Sequence, residues 1–341
     1  MPRSLLTALA VFAAPLAAQT ISDGYEVATW SGFRSAAVTH TFDDATANQI
    51  PVAAPLFDEV GLKATFFVTT DWVGDWPGIA AAAARGHEVT VHTVSHPDLS
   101  ALSIEEQRFQ FEGARDVILA NVPGAEALTL AYPFCVPGDR GLVEELFIAA
   151  RVCSGQVDRA TPVDFYATSS VIVGTEGGHT TAEALNAWAN AAAAQGGWVT
   201  YLSHGVDNDG GWSPVPSDAL RAHVEYLAAS PDRFWVATYA DVVRYIRERD
   251  AASVTEVSAT GDAVVVEVTD SLDDTIYNVP VTIRRVLPEG WESAVVAQDG
   301  EPVTVAIVEA SGHTFVAFDA VPDGGVVVLT RAGGTSAVEV P

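Results

Sequence analysis

Lysine is nearly absent from this sequence. Of its 17 basic residues only Lys63 is a lysine, and they face 44 acidic residues, for a formal net charge of -27. A chain so short of positive charge cannot neutralise a phosphate backbone, which excludes nucleic acid as a partner and argues against an anionic membrane surface. Cysteine is scarce too. The two residues present, Cys135 and Cys153, lie in no C-x-x-C pattern, so a cysteine-based metal or redox centre is excluded. They leave open one disulfide or two buried thiols. No stretch reaches the ~20 apolar residues of a membrane span. Charged residues make up only 18% against 49% hydrophobic, which excludes disorder and leaves a core-forming chain. At 341 residues it has room for a large domain and a small one. The acidic, lysine-poor surface keeps the chain soluble by self-repulsion. It fits high external salt and an arginine-favouring GC-rich genome equally well.

The N-terminus has three parts: a positive Arg3, an apolar run from Leu5 to Phe12, and small residues ending at Ala17-Ala18. That is the plan of a secretory signal peptide over residues 1–18, cut near Ala18. It implies a secreted or periplasmic protein, where disulfides are permitted.

The next 230 or so residues alternate strand-like and helix-like runs. Strand-like runs cover 36–42, 64–69, 88–91, 128–132, 198–202 and 234–238, rich in β-branched and aromatic residues. Between them, Pro77 opens a helix that Gly86 ends. Ser103 and Glu106 form a capping-box pattern for a helix to about Leu119. Further helices are read at 182–195, 217–229 and 240–249. Such alternation predicts parallel strands with helical crossovers over residues 19–250. Residues 251–341 change texture. They show no helical period and read as short strands divided by Gly, Pro and Asp turns, a small all-β sandwich.

Chemically able residues sit where four of these strands end. They are Asp43-Asp44, the pair His92 and His96, the run Tyr132-Pro133-Phe134, and His204. In a parallel α/β barrel the C-terminal strand ends share one rim, where catalytic groups gather. One carboxylate and two histidines four apart suit zinc, or cobalt or another divalent transition metal, with an open position for water. A bound metal lowers the pKa of that water, making it the nucleophile. The second aspartate is placed to act as base, and His204 as general acid. His40, His87, His179, His223 and His313 lack such company and are read as structural or surface residues, with His40 the nearest rival because it shares the Asp43 strand.

Thr41-Phe42-Asp43-Asp44, His92-Thr93-Val94-Ser95-His96, Tyr132-Pro133-Phe134 and Leu202-Ser203-His204 together resemble the polysaccharide deacetylases, carbohydrate esterase family 4, over about Ser35 to Arg249. The resemblance implies a distorted (β/α)7-type barrel that removes acetyl groups from sugars with a divalent metal. By position it makes Asp43 the base, Asp44, His92 and His96 the metal ligands, and His204 the acid. Leu202 would line the acetyl pocket, and Tyr132, Pro133 and Phe134 would wall the groove, a backbone N–H there helping to hold the oxyanion. Trp212, in the acidic loop after His204, and Trp72 and Trp76 on the same rim offer faces for sugar rings. The implied substrate is an acetylated extracellular polysaccharide, N- or O-linked; the oligomeric state stays open.

The sequence also departs from the family. The arginine that usually orients the base has its place taken by Leu130 or Ala131, and no arginine occurs between Arg115 and Arg140. The family's aspartate-tryptophan motif has no clear match, with Asp158 and Asp164 the nearby candidates, and Ala45 stands where glycine is usual. These gaps keep two alternatives in view: a glycan-binding protein without catalysis on the same scaffold, and a hydrolase of a non-sugar amide or cyclic imide.

Overall fold

The computed structural model describes residues 21–333, so the expected signal segment at 1–18 lies outside the described residues. After a short first strand, β1 (Tyr25–Val27), eight strands form one parallel sheet. They are β2 (Ala36–Asp43), β3 (Thr65–Val68), β4 (Glu88–Val91), β5 (Thr129–Ala131), β6 (Ala149–Arg151), β7 (Val171–Ile172), β8 (Trp198–Ser203) and β9 (Phe234–Val236). Their order is β6-β5-β4-β3-β2-β8-β7, with β9 paired to the start of β2. All eight residues of β2 are buried, as expected of a central strand covered on both faces. Arg151 of β6 bridges to Thr168, just before β7, so the two edges curl toward each other. The result is the distorted parallel barrel that the sequence implies.

Among the described residues, seven α-helices connect the strands: α1 (Ala54–Glu59), α2 (Trp76–Ala84), α3 (Ile104–Asn121), α4 (Arg140–Leu146), α5 (Ala182–Gln195), α6 (Ser217–Ala228) and α7 (Tyr239–Ala251). Their ends follow local chemistry. Ser103 and Glu106 close the capping box of α3 reciprocally, and Asp75 accepts from Gly78 N–H at the start of α2, beside Pro77. The apolar faces of these helices meet the sheet around Phe42, Phe57, Phe66, Phe111 and Tyr201, each fully buried. Burial of each such side chain contributes about 1.5–3 kcal/mol.

Eight further strands follow: β10 (Ser253–Ala259), β11 (Ala263–Thr269), β12 (Val281–Val286), β13 (Ala294–Gln298), β14 (Glu301–Pro302), β15 (Val305–Ala310), β16 (His313–Ala320) and β17 (Val327–Arg331). They form two antiparallel sheets, ordered β10-β11-β17-β13-β14 and β1-β12-β16-β15. Val264, Val266, Ile283, Val316, Phe318 and Leu329 fill the space between them. Although the sequence reading assigns residues 19–250 to the barrel, β1 completes the second of these sheets by pairing with β12, and Tyr25 packs in the sandwich core. Tyr245 of α7 reaches the same core.

Candidate active site

Strands β2, β4 and β8 end on one rim and carry the polar residues with them. Asp43 is the last residue of β2 and is buried. The chain then turns sharply, with Asp44 at φ 79° and Ala45 at φ 66°. This left-handed turn aims the two adjacent carboxylates into one space. His92 follows β4, and its Nδ1 lies 2.8 Å from the Ala131 carbonyl. A carbonyl only accepts, so Nδ1 carries the proton and the lone pair of Nε2 faces the cavity. The stretch to His96 is another tight turn, with Thr93 and His96 at positive φ. Gln110 of α3 holds that turn by accepting from the N–H groups of Val94 and Ser95, each at 3.0 Å.

The metal-ligand candidates converge. One ligand atom each of Asp44, His92 and His96 lie within 4.8 Å of one another. Asp44 Oδ1 is 3.4 Å from His92 Nε2 and 3.7 Å from His96 Nε2, yet it is buried with no hydrogen-bond partner. An orphaned buried carboxylate oxygen facing two imidazole lone pairs fits a divalent cation of the zinc type. Burial alone would raise the pKa of Asp44, but His92, His204 and His96 outweigh it and hold the carboxyl below its usual range. Burial pulls His92 down, while Asp43 and Asp44 more than restore it, so its pKa is raised overall.

Asp43 and His204 stand on either side. Asp43 Oδ2 is 3.6 Å from His92 Nε2, and His204 Nε2 is 4.0 Å from Asp44 Oδ2. Behind Asp43 sits a residue that the sequence reading missed. Arg151, at the end of β6 and 1% exposed, donates to Asp43 Oδ1. It arises from the strand next to the one where the family's arginine was sought. Gln49 is a second such residue. Its amide nitrogen donates to the backbone carbonyls of both Asp43 and His204, tying the ends of β2 and β8 together. Thr46 and Asn48 extend this seam to Asp209 and Val206 in the loop after His204. That loop folds back closely, since a Cβ on Gly211 would come within 2.7 Å of the Gly205 backbone.

Among the described residues no carboxylate pairs with Nδ1 of His204, which is buried and unpartnered. Asp158 instead accepts from Ser169 N–H, and Asp164 pairs with Arg140, so neither candidate for the family's acid-tuning aspartate reaches His204. Burial lowers the pKa of His204, an effect that Asp43 and Asp44 partly oppose.

Asp43, Asp44, His92, His96 and His204 line one cavity of about 600 Å³. Leu202 and Tyr132 form its inner wall, while Trp72, Phe134 and Trp212 are exposed at its mouth. Trp212 meets the His204 ring edge-on at 4.8 Å, and Trp72 and Phe134 flank His96. Pro133 is buried behind this wall, and the Tyr132 N–H points to the Arg151 carbonyl at 3.4 Å. Trp76 packs against the barrel core instead of the cavity. Cys135 and Cys153 form a disulfide that also lines the cavity. The remaining histidines lie elsewhere. His40 is buried between Tyr201 and His223, His87 meets Asp58, His179 meets Trp188, and His313 is exposed.

Residues 32–140 match the polysaccharide deacetylase family model. The stretch contains Asp43, Asp44, His92, His96 and the Tyr132 run, and it ends before Arg151 and His204. A gellan lyase from a Bacillus species is 29% identical over 330 residues, which is 89% of this chain but 13% of that protein. A chitooligosaccharide deacetylase from Sinorhizobium fredii is 34% identical over 112 residues, 32% of this chain and 52% of that protein. The chain therefore spans about an eighth of one curated relative and about half of the other. Among solved structures, a candidate polysaccharide deacetylase from Mycobacterium smegmatis aligns with TM-score 0.54 at 18% identity, covering 72% of this chain and 99% of that one. This last likeness speaks to the fold alone.

Proposed function

We propose that the polysaccharide deacetylase domain carried by this chain is a metal-dependent hydrolase that removes acetyl groups from an extracellular polysaccharide. The observation that carries this reading is the convergence of Asp44, His92 and His96 within 4.8 Å, with Asp43 on one side and His204 on the other. A divalent cation held by those three residues would polarise the acetyl carbonyl and bring a water's ionisation close to neutral pH.

The protein's own groups do the rest. Asp43 is fixed by Arg151 through Oδ1, which leaves Oδ2 to take the proton of the attacking water. The hydroxide oxygen bonds to the carbonyl carbon, and the bond from that carbon to the sugar nitrogen or oxygen breaks. His204 Nε2 gives a proton to the departing amine or alcohol, and acetate is left. Leu202 and Tyr132 give the acetyl methyl an apolar wall, and Trp72, Phe134 and Trp212 offer rings on which sugars stack. The N-terminal signal pattern and the Cys135–Cys153 bridge both favour export.

The test is acetate release from a panel of acetylated glycans, with and without chelator. Gellan belongs in the panel because the relative that lines up along most of this chain is named for it. Acetate release that stops with chelator and returns with zinc or cobalt supports the reading. An unsaturated product without acetate would point to a lyase. Binding without turnover under saturating metal would favour a glycan-binding role, which the bare Nδ1 of His204 keeps in view. The Asp43→Asn variant should retain one bound metal and lose turnover by at least a hundredfold. Retained turnover in that variant removes Asp43 from the role of base.

A further inference from the structure

Beyond the reactive aspartates and histidines, the cavity wall consists of rings, aliphatic groups and sulfur. It is built from Trp72, Tyr132, Phe134, Ile172, Leu202 and Trp212, with the Cys135–Cys153 bridge. Among the described residues that line it, none is a serine, threonine, asparagine, glutamine, glutamate, lysine or arginine. Tyr132 presents only its ring, because its hydroxyl donates to the Tyr166 carbonyl at 3.0 Å. Polar side chains of the loop that carries Trp212 are engaged within the protein. Asp209 accepts from the Thr46 hydroxyl and from Asn48 and Gly211 N–H, and Asp207 accepts from Ser217 N–H. The Ser213 hydroxyl donates to the Val173 carbonyl. Within the wall, the side-chain groups left to read a substrate's own hydroxyls are the indole N–H donors of Trp72 and Trp212.

Where the rings stand is a separate observation. Trp72 stacks on His96 with centroids 5.1 Å apart, and Phe134 meets the same imidazole edge-on at 4.6 Å. Trp212 meets His204 edge-on at 4.8 Å. Aromatic surface therefore begins one ring's width from the groups that act on the acetyl carbonyl. It faces the very ring that bears the acetyl group, and not only units farther along a chain. A site that reads hydroxyls by hydrogen bonds rejects an analogue lacking them by about 10,000- to 100,000-fold, whereas an apolar site separates ligands by only about 10- to 200-fold. This wall is of the second kind. A flat aromatic ring suits it as well as a sugar does, since Trp72, Phe134 and Trp212 can take such a ring by offset or edge contact.

We propose that the cavity accepts acetyl esters of phenols as a second class of substrate. The inference rests on the deacetylase reading for its chemistry. Water adds to the acetyl carbonyl carbon as Asp43 takes its proton, and the bond from that carbon to the phenolic oxygen breaks. That oxygen leaves with a proton from His204, giving acetate and a phenol with no further reactant.

The test compares kcat/KM for phenyl acetate with that for the acetylated glycan turned over fastest in the panel, using the zinc-loaded full chain. Each value is corrected for the hydroxide-catalysed background. Phenyl acetate should fall no more than about 200-fold below the glycan, and chelator or Asp43→Asn should remove both activities. The Trp72→Ala/Trp212→Ala variant should raise KM for phenyl acetate at least about tenfold. A gap wider than about 200-fold would overturn the proposal and leave the deacetylase reading standing. An unchanged KM in the double variant would overturn it as well, as would phenyl acetate turnover that survives both chelator and Asp43→Asn. Chelator-sensitive turnover of phenyl acetate with no glycan turned over would support it and remove the polysaccharide from the reading. Acetate from neither kind of ester would remove both.

Discussion

Asp43 is a buried acid whose usefulness depends on a single cation behind it. Removing Arg151 would leave that carboxylate uncompensated, and breaking a buried pair from one side typically costs about 3–5 kcal/mol. Arg151→Leu is therefore expected to lower the unfolding temperature and to cut kcat/KM about a hundredfold or more through loss of positioning. Arg151→Lys keeps the charge without the planar fork and should recover part of both. Steady-state kinetics and melting curves on the two variants check this, and equal damage in both would point to packing instead of charge. The contrast with the other site residues shows what a sequence can reveal. Asp43, Asp44, His92, His96 and His204 are legible because reactive side chains interrupt apolar strands at their ends. Arg151 is not, because it closes an Ala-Ala-Arg strand and its partner is 108 residues away. Asp158 is named in the sequence only as a candidate partner for the acid histidine, and its buried place beside Ser169 is not legible there. Burial raises its pKa from 3.8 to about 7, although Ser169 N–H donates to it. The unfolded chain ionises this group first, so protonation favours the folded state. The stability it permits is complete below about pH 4 and is lost as pH rises toward about 7. Asp158→Asn keeps an acceptor for Ser169, so its melting temperature should match wild type at pH 4 and exceed it at pH 8. A constant offset across that range would dismiss the ionisation account.

The elements were readable where local chemistry specifies them. The Ser103–Glu106 capping box and the Pro77 start each place a helix, and the runs around Asp43 and His204 place the two long central strands. The short barrel strands β6 and β7 were not readable. They hold three and two residues, too few for a hydrophobic period, and they exist because their longer neighbours supply pairing partners. The disulfide compensates for that brevity. It joins the turn that carries Phe134 to the segment just beyond β6, and so braces the cavity wall against the strand that presents Arg151. With a sequence separation of 18 residues, loss of this bridge should cost about 3 kcal/mol by the loop-entropy account. Cys135→Ser/Cys153→Ser is expected to unfold at lower denaturant and, under the proposed function, to raise KM more than it lowers kcat, because Phe134 stands at the cavity mouth and away from the groups proposed to move protons. A change in kcat alone would place the bridge's effect on Asp43 instead.

The whole molecule divides differently from its sequence texture. Composition shifts after Asp250, which suggests a barrel that ends there and an appended sandwich. The chain is laced across that line. Strand β1 leaves the N-terminal side to complete a sandwich sheet, Tyr25 packs in the sandwich core, and Tyr245 of α7 enters the same core while its hydroxyl donates to the Ala28 carbonyl. Trp235 packs against both Tyr245 and Trp30, so the barrel's lower end shares aromatic surface with the sandwich. A chain cut after Ala252 would therefore not be a shortened barrel. It would carry an unpaired β1 edge and bare Tyr25, Tyr245 and Trp235, an exposed apolar patch of the kind that drives association. Such a truncated chain is expected to be largely insoluble, or to unfold without the cooperative transition of the full chain. Expression yield, size-exclusion behaviour and a thermal melt measure this. Extending the cut to remove residues 21–28 as well should recover some solubility by deleting the orphaned strand, though Tyr245 and Trp235 stay uncovered. A soluble, cooperative and fully active chain ending at Ala252 would instead make the sandwich a passive spacer, and the contacts of Tyr25 and Tyr245 incidental to stability.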